Sequence, residues 1–252
     1  MTKIAGIILA GGKGTRAKSK DKNKVTLPFL NKPLIIYAVE LMSGIVDPVI
    51  VVVGAFADSI KKVLKGYEVI YAHQKKRLGT GHATKVGLCR LSKRPAPEAV
   101  LVGYGDHTMF YKKETVSELI RLHRKNKAVL SLITTRYDHP EKLRWGRIVR
   151  DEKNEIIDNV EDKDISEKQR TINELNAGFY CIDFDFLKQN ISKIVKSPKS
   201  GEYYINYLVK IAVAQNKKIV GLEVPFDNVG IGINTTDELK ESEKIYQKTN
   251  GF

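Results

Sequence analysis

Leu9-Ala10-Gly11-Gly12-Lys13-Gly14-Thr15-Arg16, directly after the apolar run Ile4–Leu9, is the stretch from which the fold of this chain can be read. Three glycines within four positions let the backbone turn tightly and approach a ligand with no Cβ in the way. Successive amide N–H groups in such a turn form an anion-binding concavity, and Lys13 and Arg16 add fixed positive charge to it. A turn of this kind after a buried first strand sits at the carboxyl edge of the sheet, where open α/β proteins bind ligands. The stretch therefore predicts an α/β protein that holds phosphate at the end of its first strand.

Two familiar glycine-loop patterns fail to account for it. A Walker A loop needs Gly, four residues, then Gly-Lys-Ser/Thr; here Gly12-Lys13 is followed by Gly14, and position 7 is Ile. The dinucleotide pattern is formally met as Gly12-x-Gly14-x-x-Ala17. That pattern should lead straight into a helix, with an acid about 20 residues on at the end of the second strand. Instead the polar run Lys18–Lys24 follows, and the second strand ends in Val53-Gly54.

Outward from the loop, strands and helices alternate. Strands are expected at Ile4–Leu9, Val49–Val53, Glu68–Tyr71, Ala99–Tyr104 and Ala128–Thr135. Helices are expected at Leu34–Met42 after Pro33, from an Asp58 cap through Lys65, at Thr80–Leu91 and at Lys113–Asn126. Continuous apolar runs such as Val49–Val53 are the mark of parallel strands buried on both faces, and the βαβ rhythm predicts a mostly parallel sheet flanked by helices. After Tyr137 the pattern changes to a hairpin, Gly146–Arg150 with Ile156–Glu161, then a strand at Asn176–Ile182, a helix at Tyr204–Ala214, a strand at Ile219–Val224 and a polar helical tail from Thr236. No linker or internal repeat divides the chain. The expectation is one Rossmann-like α/β domain over 1–252: a nucleotide half over about 1–137, a lobe over about 138–235, and a terminal helix.

Composition narrows the partners. The 252 residues are 42% hydrophobic and 29% charged, with a net charge of +14 and two cysteines. No apolar stretch approaches the ~18 residues of a membrane span, no signal-peptide pattern is present, and the cysteines lack metal-ligand spacing, so a reduced, cytoplasmic protein is expected. Both cysteines are expected in the core, Cys89 on a helix and Cys181 in a strand, because free Cys is usually buried. Seven basic residues and one acid lie between Lys3 and Lys24, with no aromatic among them. A nucleic-acid binder would offer a recognisable module or interleaved aromatics; this segment reads instead as an electrostatic funnel for a polyanionic small molecule.

Several segments in order complete the reading: LAGGKGTR at 9–16, Lys24-Val25, Gln74 with Leu78-Gly79-Thr80-Gly81-His82-Ala83, Tyr104-Gly105-Asp106, Trp145-Gly146-Arg147-Ile148-Val149-Arg150, Val160-Glu161-Asp162-Lys163-Asp164, Glu174-Leu175-Asn176-Ala177-Gly178, Glu202-Tyr203-Tyr204 and Gly232-Ile233-Asn234. Together they resemble the sugar-1-phosphate nucleotidyltransferases, most nearly the pyrophosphorylase domain of N-acetylglucosamine-1-phosphate uridyltransferases. The resemblance implies Mg²⁺-dependent joining of a nucleoside triphosphate and a sugar 1-phosphate, UTP and N-acetylglucosamine 1-phosphate in the first instance. Another sugar phosphate, dTTP, or a noncatalytic nucleotide-sugar-binding relative are the alternatives. It implies no nucleic-acid or membrane partner and leaves the oligomeric state open.

Carried over by motif, Ala10, Gly11, Gly12, Gly14 and Arg16 hold the triphosphate, and Lys24 reaches the α-phosphate and the sugar phosphate. Gln74, Gly79 and Thr80 face the base. Gly105, Gly146, Glu161, Asn176 and Asn206 form the sugar side, and Asp106 with Asn234 binds Mg²⁺. Two protein oxygens completed by phosphates and waters suit that ion, which seldom has an all-protein cage. His107, beside Asp106, is expected to face away from the metal, since successive residues of an extended chain point to opposite sides. His82 is expected near the base, as neither acid nor base.

Three departures stand out. Family members usually carry Pro before the lysine, where this chain has Asn23, implying a looser loop. They usually carry Thr-Asp after Glu-Tyr-Tyr one residue on, where this chain has Asn206-Tyr207, which bears on the identity of the sugar. The hexapeptide repeats of the bifunctional relatives are absent from this sequence, so neither acetyltransfer nor their trimerisation element is expected of it.

Overall fold

A computed structural model describes residues 3–12, 22–92, 94–233 and 235–250. The first strand, β1 (Ile4–Ala10), is buried at every position. A small ribbon, β2 (Pro28–Phe29) and β3 (Lys32–Pro33), precedes helix α1 (Leu34–Ser43). Next come β4 (Val49–Val53), α2 (Ala57–Val63), β5 (Ile70–His73), α3 (Thr80–Leu91), β6 (Ala99–Tyr104), α4 (Lys113–Lys125) and β7 (Leu130–Arg136). The hairpin β8 (Arg147–Arg150) and β9 (Ile156–Val160) is followed by α5 (Glu167–Arg170), β10 (Glu174–Asp183), α6 (Phe184–Asn190), α7 (Tyr207–Ala214), β11 (Ile219–Glu223) and α8 (Thr236–Asn250).

Seven strands run in the order β11-β7-β10-β6-β1-β4-β5, with β8 and β9 attached beside β10. β6, β1, β4 and β5 are mutually parallel, β10 is antiparallel to both β6 and β7, and β11 is parallel to β7. The mixed, mostly parallel sheet expected from the sequence is thus present, and strands from both halves of the chain share it. Alternate side chains divide the core between its faces. Ile7, Leu9, Ile50 and Val52 pack with α3, α6 and α7, while Ile8, Ala10, Val51 and Val53 pack with α1, α2 and α4. Helix α3 lies so close to the sheet that a Cβ on Gly87 would stand 2.8 Å from Ile7 Cγ2.

Some boundaries differ from expectation for identifiable reasons. Helix α2 is preceded by Phe56 at φ 54°, with no side-chain cap; Asp58 lies inside the first turn, where its charge favours the positive end of the helix dipole. Helix α7 starts at Tyr207 rather than Tyr204, because Tyr203 pairs with Leu78 and Gly81 across the cleft. Helix α6 and the β2–β3 ribbon were not expected. Cys181 is buried in β10, but Cys89 is exposed: α3 buries Gly81, Thr84, Gly87, Leu88 and Leu91, one helical stripe from which position 89 is turned away. Among the described residues no helix is long and apolar enough to cross a membrane.

Candidate active site

The carboxyl ends of β1, β5 and β6 meet over a cleft of about 420 Å³ lined by Gly11, Gly12, Lys24, Gln74, Gly79 and Thr80, among others. A second, smaller cleft of about 210 Å³ opens beside it, lined by His107, Arg144, Trp145, Gly146, Glu161, Asn176, Gly178 and Gly232. Tyr104 and Asp106 border both. A larger groove of about 940 Å³ lies at the opposite, amino-terminal edge of the sheet; its Arg121 and Arg124 are taken up by Glu118 and Glu98.

At the junction, Lys24 Nζ forms an ion pair with Asp106 and donates to Ile233 O at 3.1 Å. Both side chains are only about one-sixth exposed, at 15% and 17%. Tyr104 packs over Gly178, whose φ of 73° and 2.5 Å clearance to the ring leave no room for a Cβ. Burial holds the Tyr104 phenol well above the ordinary tyrosine range. His107 turns into the protein, its Nε2 3.2 Å from Gly230 O and its ring 4.6 Å from that of Trp145. Burial lowers its pKa, favouring the neutral imidazole.

Close backbone contacts shape the larger cleft. A Cβ on Gly54 would lie 2.5 Å from Gly11 O, and one on Gly11 would lie 2.6 Å from Gln74 Oε1. Gln74 is buried rather than a surface loop residue; its Nε2 donates to Gly79 O at 3.2 Å and meets His82 Nδ1 at 2.9 Å. Gly79 at φ 103° would place a Cβ 2.5 Å from Tyr203 O. Thr80 Oγ1 accepts from Ile205 N at 3.0 Å. Desolvation first, then the Lys85 charge, lower the His82 pKa.

The smaller cleft stands on side chains of the antiparallel strands. Asn176 lies where the register of β10 against β7 shifts, a kind of irregularity that re-aims side chains beside functional sites. Its Oδ1 accepts from Gly178 N at 3.0 Å, and its Nδ2 donates to Tyr180 Oη at 2.7 Å. Tyr180 donates onward to Asn206 Oδ1 at 3.0 Å, and Asn206 Nδ2 donates to Asn159 Oδ1 at 3.1 Å. A Cβ on Gly146 would lie 2.7 Å from Asn159 Oδ1 and 3.0 Å from Asn206 Nδ2, so this buried network is the floor beneath Gly146. Arg147, fully buried, donates to Pro140 O at 2.7 Å and to Trp145 O, holding the loop that carries Arg144 and Trp145. The Glu161 carboxyl, recessed among Asp164, Asp162 and Glu202, is pushed up to about 7, chiefly by burial.

The sequence-predicted residues fall into three groups. Ala10, Gly11, Gly12, Lys24, Gln74, Gly79 and Thr80 come together in the larger cleft, and Gly146, Glu161 and Asn176 in the smaller, with Asp106 between. Gly105 and Asn206 line neither: Gly105 faces Ile35 and Val25, and Asn206 is wholly buried beneath the smaller cleft. Gly14, Arg16 and Asn234 lie outside the described residues. Asn23 departs from its expectation. It is buried and engages three carbonyls, so the position before Lys24 is held firmly rather than loosely. Sequence reading assigned no role to Tyr104, Tyr180, Asn159 or Arg147; for Tyr104, its place before Gly105-Asp106 was the available signal.

The fold and the paired clefts define an α/β protein whose candidate site lies at the carboxyl ends of parallel strands. The chain belongs to the nucleotidyl transferase family, which it matches over residues 5–226. It is 37% identical over 242 residues to the Bifunctional protein GlmU of Psychrobacter sp. (strain PRwf-1), covering 96% of this chain and 51% of that protein. The GlmU of Brevibacillus brevis is 35% identical over 249 residues, covering 98% and 52%. The chain thus spans about half the length of these curated relatives. Its fold is shared with a crystal structure of UDP-glucose pyrophosphorylase complexed with UDP-glucose, at TM-score 0.76 and 22% identity, covering 99% of this chain and all of that one.

Proposed function

We propose that this chain transfers a nucleotidyl group from a nucleoside triphosphate to a sugar 1-phosphate, with UTP and N-acetylglucosamine 1-phosphate as substrates, giving UDP-N-acetylglucosamine and pyrophosphate. The observation that carries the reading is the meeting of two clefts at Lys24 and Asp106, one walled by glycine backbone and one by polar side chains. An oxygen of the sugar phosphate attacks the α-phosphorus; the new P–O bond forms as the bond to the β-phosphate bridging oxygen breaks, and pyrophosphate leaves. The attacking monoester has a second pKa of about 6 and is already ionised at neutral pH, so it needs no general base. The protein's work is to align two polyanions and neutralise charge at the α-phosphate.

In this reading the glycine segment holds the triphosphate, Gln74, Gly79 and Thr80 face the base, and Gly146, Glu161 and Asn176 take the sugar hydroxyls and acyl group. Lys24 stabilises the transferring phosphoryl as a point charge. The donor set fits Mg²⁺: Asp106 offers a partly exposed carboxylate at the junction, and Asn234 completes the pair in sequence. When bound there, the ion would supply charge neutralisation between the phosphates. A different sugar 1-phosphate is the second reading, favoured by the asparagine network beneath Gly146.

Pyrophosphate release with Mg²⁺ across five nucleoside triphosphates and several sugar 1-phosphates tests this. Release confined to UTP with N-acetylglucosamine 1-phosphate is the expected result. Release with another pair keeps the chemistry and moves the substrate. No release from folded protein that binds UTP overturns catalysis in favour of nucleotide binding alone.

A further inference from the structure

Asn23 makes more polar contacts than packing alone requires. Its Nδ2 lies 3.2 Å from Ala10 O, 2.9 Å from Gly12 O and 2.8 Å from Ala55 O. Its Oδ1 accepts from Val25 N at 3.2 Å, and its own backbone N–H donates to Ser59 Oγ at 3.1 Å. Two amide hydrogens are thus shared among three carbonyls, and the side chain is 1% exposed. Ala10 ends β1, Gly12 belongs to the glycine segment, and Ala55 follows β4. One amide therefore joins the ends of two parallel strands to the residue next to Lys24.

The consequence for the site follows from peptide geometry. Because the peptide unit is planar and trans, fixing the Ala10 carbonyl also fixes the opposite direction of the Gly11 N–H. Ala55 N donates to Gly11 O at 3.3 Å, which sets the Gly12 N–H in the same way. On the other side, Asn23 sits at φ −72°, ψ 141°, the range a proline ring would impose covalently. A proline there would keep φ, but it would lose the N–H donated to Ser59 and offer no donor to the three carbonyls.

We propose that Asn23 is a positioning residue for nucleotidyl transfer: it locks the Lys24 ammonium and the peptide N–H groups of Gly11 and Gly12 into one frame that addresses a single triphosphate. This rests on the nucleotidyl-transfer reading above, whose failure would be visible in the unaltered protein before any variant is made.

Pyrophosphate release by full-length Asn23→Ala is measured per nucleotide-binding site, the sites being counted by titration with a fluorescent nucleoside triphosphate. Misplacing a reacting group by about 1 Å costs on the order of 10²-fold. We expect kcat per site to fall by about 10-fold to 10²-fold and KM for the nucleoside triphosphate to rise, while KM for the sugar 1-phosphate stays within about twofold. Asn23→Ser keeps the backbone N–H to Ser59 and one donor too short to span the three carbonyls, and serves where the alanine variant does not fold; the same pattern is expected of it. Fewer titratable sites with unchanged kcat per site would make Asn23 a folding residue only and overturn the proposal. Equal rises in both KM values, or wild-type kinetics in either variant, would overturn it too.

Discussion

On one side of Tyr104 and Asp106 the cleft wall is backbone: Gly11 against Gly54, Gly79 against Tyr203, and a clasp of carbonyls on Asn23. On the other side it is side chains, an Asn176–Tyr180–Asn206–Asn159 chain of hydrogen bonds under Gly146, with Glu161 at its rim. Phosphates are alike in every nucleotide, so backbone donors suffice to hold them. Sugars differ in the direction of single hydroxyls, and side chains that both donate and accept can be varied to distinguish those. Under the proposed function, rate and nucleotide affinity belong to the first wall and sugar choice to the second.

The hardest test of that division is Lys24→Ala. Removing a charge-stabilising group at a transferring centre costs about 10²–10³-fold in kcat, and the nucleotide, still held by glycine backbone, should bind nearly as before. Comparable losses in kcat and in nucleotide affinity would place Lys24 in binding rather than in the transition state. Asp106→Asn should follow, with activity down on the order of 10²-fold and activation by Mg²⁺ lost. A titration showing normal Mg²⁺ activation of the variant would remove Asp106 from the metal site.

How far the two walls were legible in the sequence follows the same line. The backbone wall announces itself locally: an apolar run, then glycines, then lysine, all within residues 4–24. Asn23 was misread because its bonds reach Ala10 and Ala55, contacts that only the pairing of β1 with β4 creates. The side-chain wall is tertiary throughout. Asn206 precedes α7, Asn159 is on β9 and Tyr180 on β10, and no spacing along the chain reveals that their amides and hydroxyl converge. Asn206, expected to line the cleft, lies instead buried beneath Gly146. Cys89 was readable, since the helical stripe of α3 excludes it.

Asn206→Thr probes the second wall alone. A threonine hydroxyl can accept from Tyr180, but its shorter reach leaves the Asn159 carbonyl, now 3.1 Å from the Asn206 amide, without that donor. An unsatisfied buried polar group costs about 1–3 kcal/mol, which should appear as a lower melting temperature. The ranking of sugar 1-phosphates should change, with KM for the nucleotide unmoved. An unaltered sugar profile would show that the floor beneath Gly146 does not set specificity.

The smallest effect on activity should come from Glu161, and the sign of its effect on stability is fixed by the direction of its shift. Burial first, then Asp164, Asp162 and Glu202, raise the carboxyl from 4.5 to about 7. An acid that is harder to ionise folded than unfolded holds more protons in the native state between those two values. Stability should therefore fall as pH rises from about 4.5 to about 7 and change no further above that range. Glu161→Gln removes the titration, so its melting temperature should lack this slope, and at pH 8 it should equal or exceed that of the unaltered protein. Across the same window the wild-type carboxyl passes from hydrogen-bond donor to acceptor only, so KM for the sugar 1-phosphate should drift by about twofold near pH 7. The glutamine variant should retain only the ionisation of the substrate phosphate, near pH 6. An inflection of the nucleotide KM at pH 7 that the glutamine variant abolishes would break the comparison, because it would mean that the side-chain wall also governs the backbone wall across Asp106.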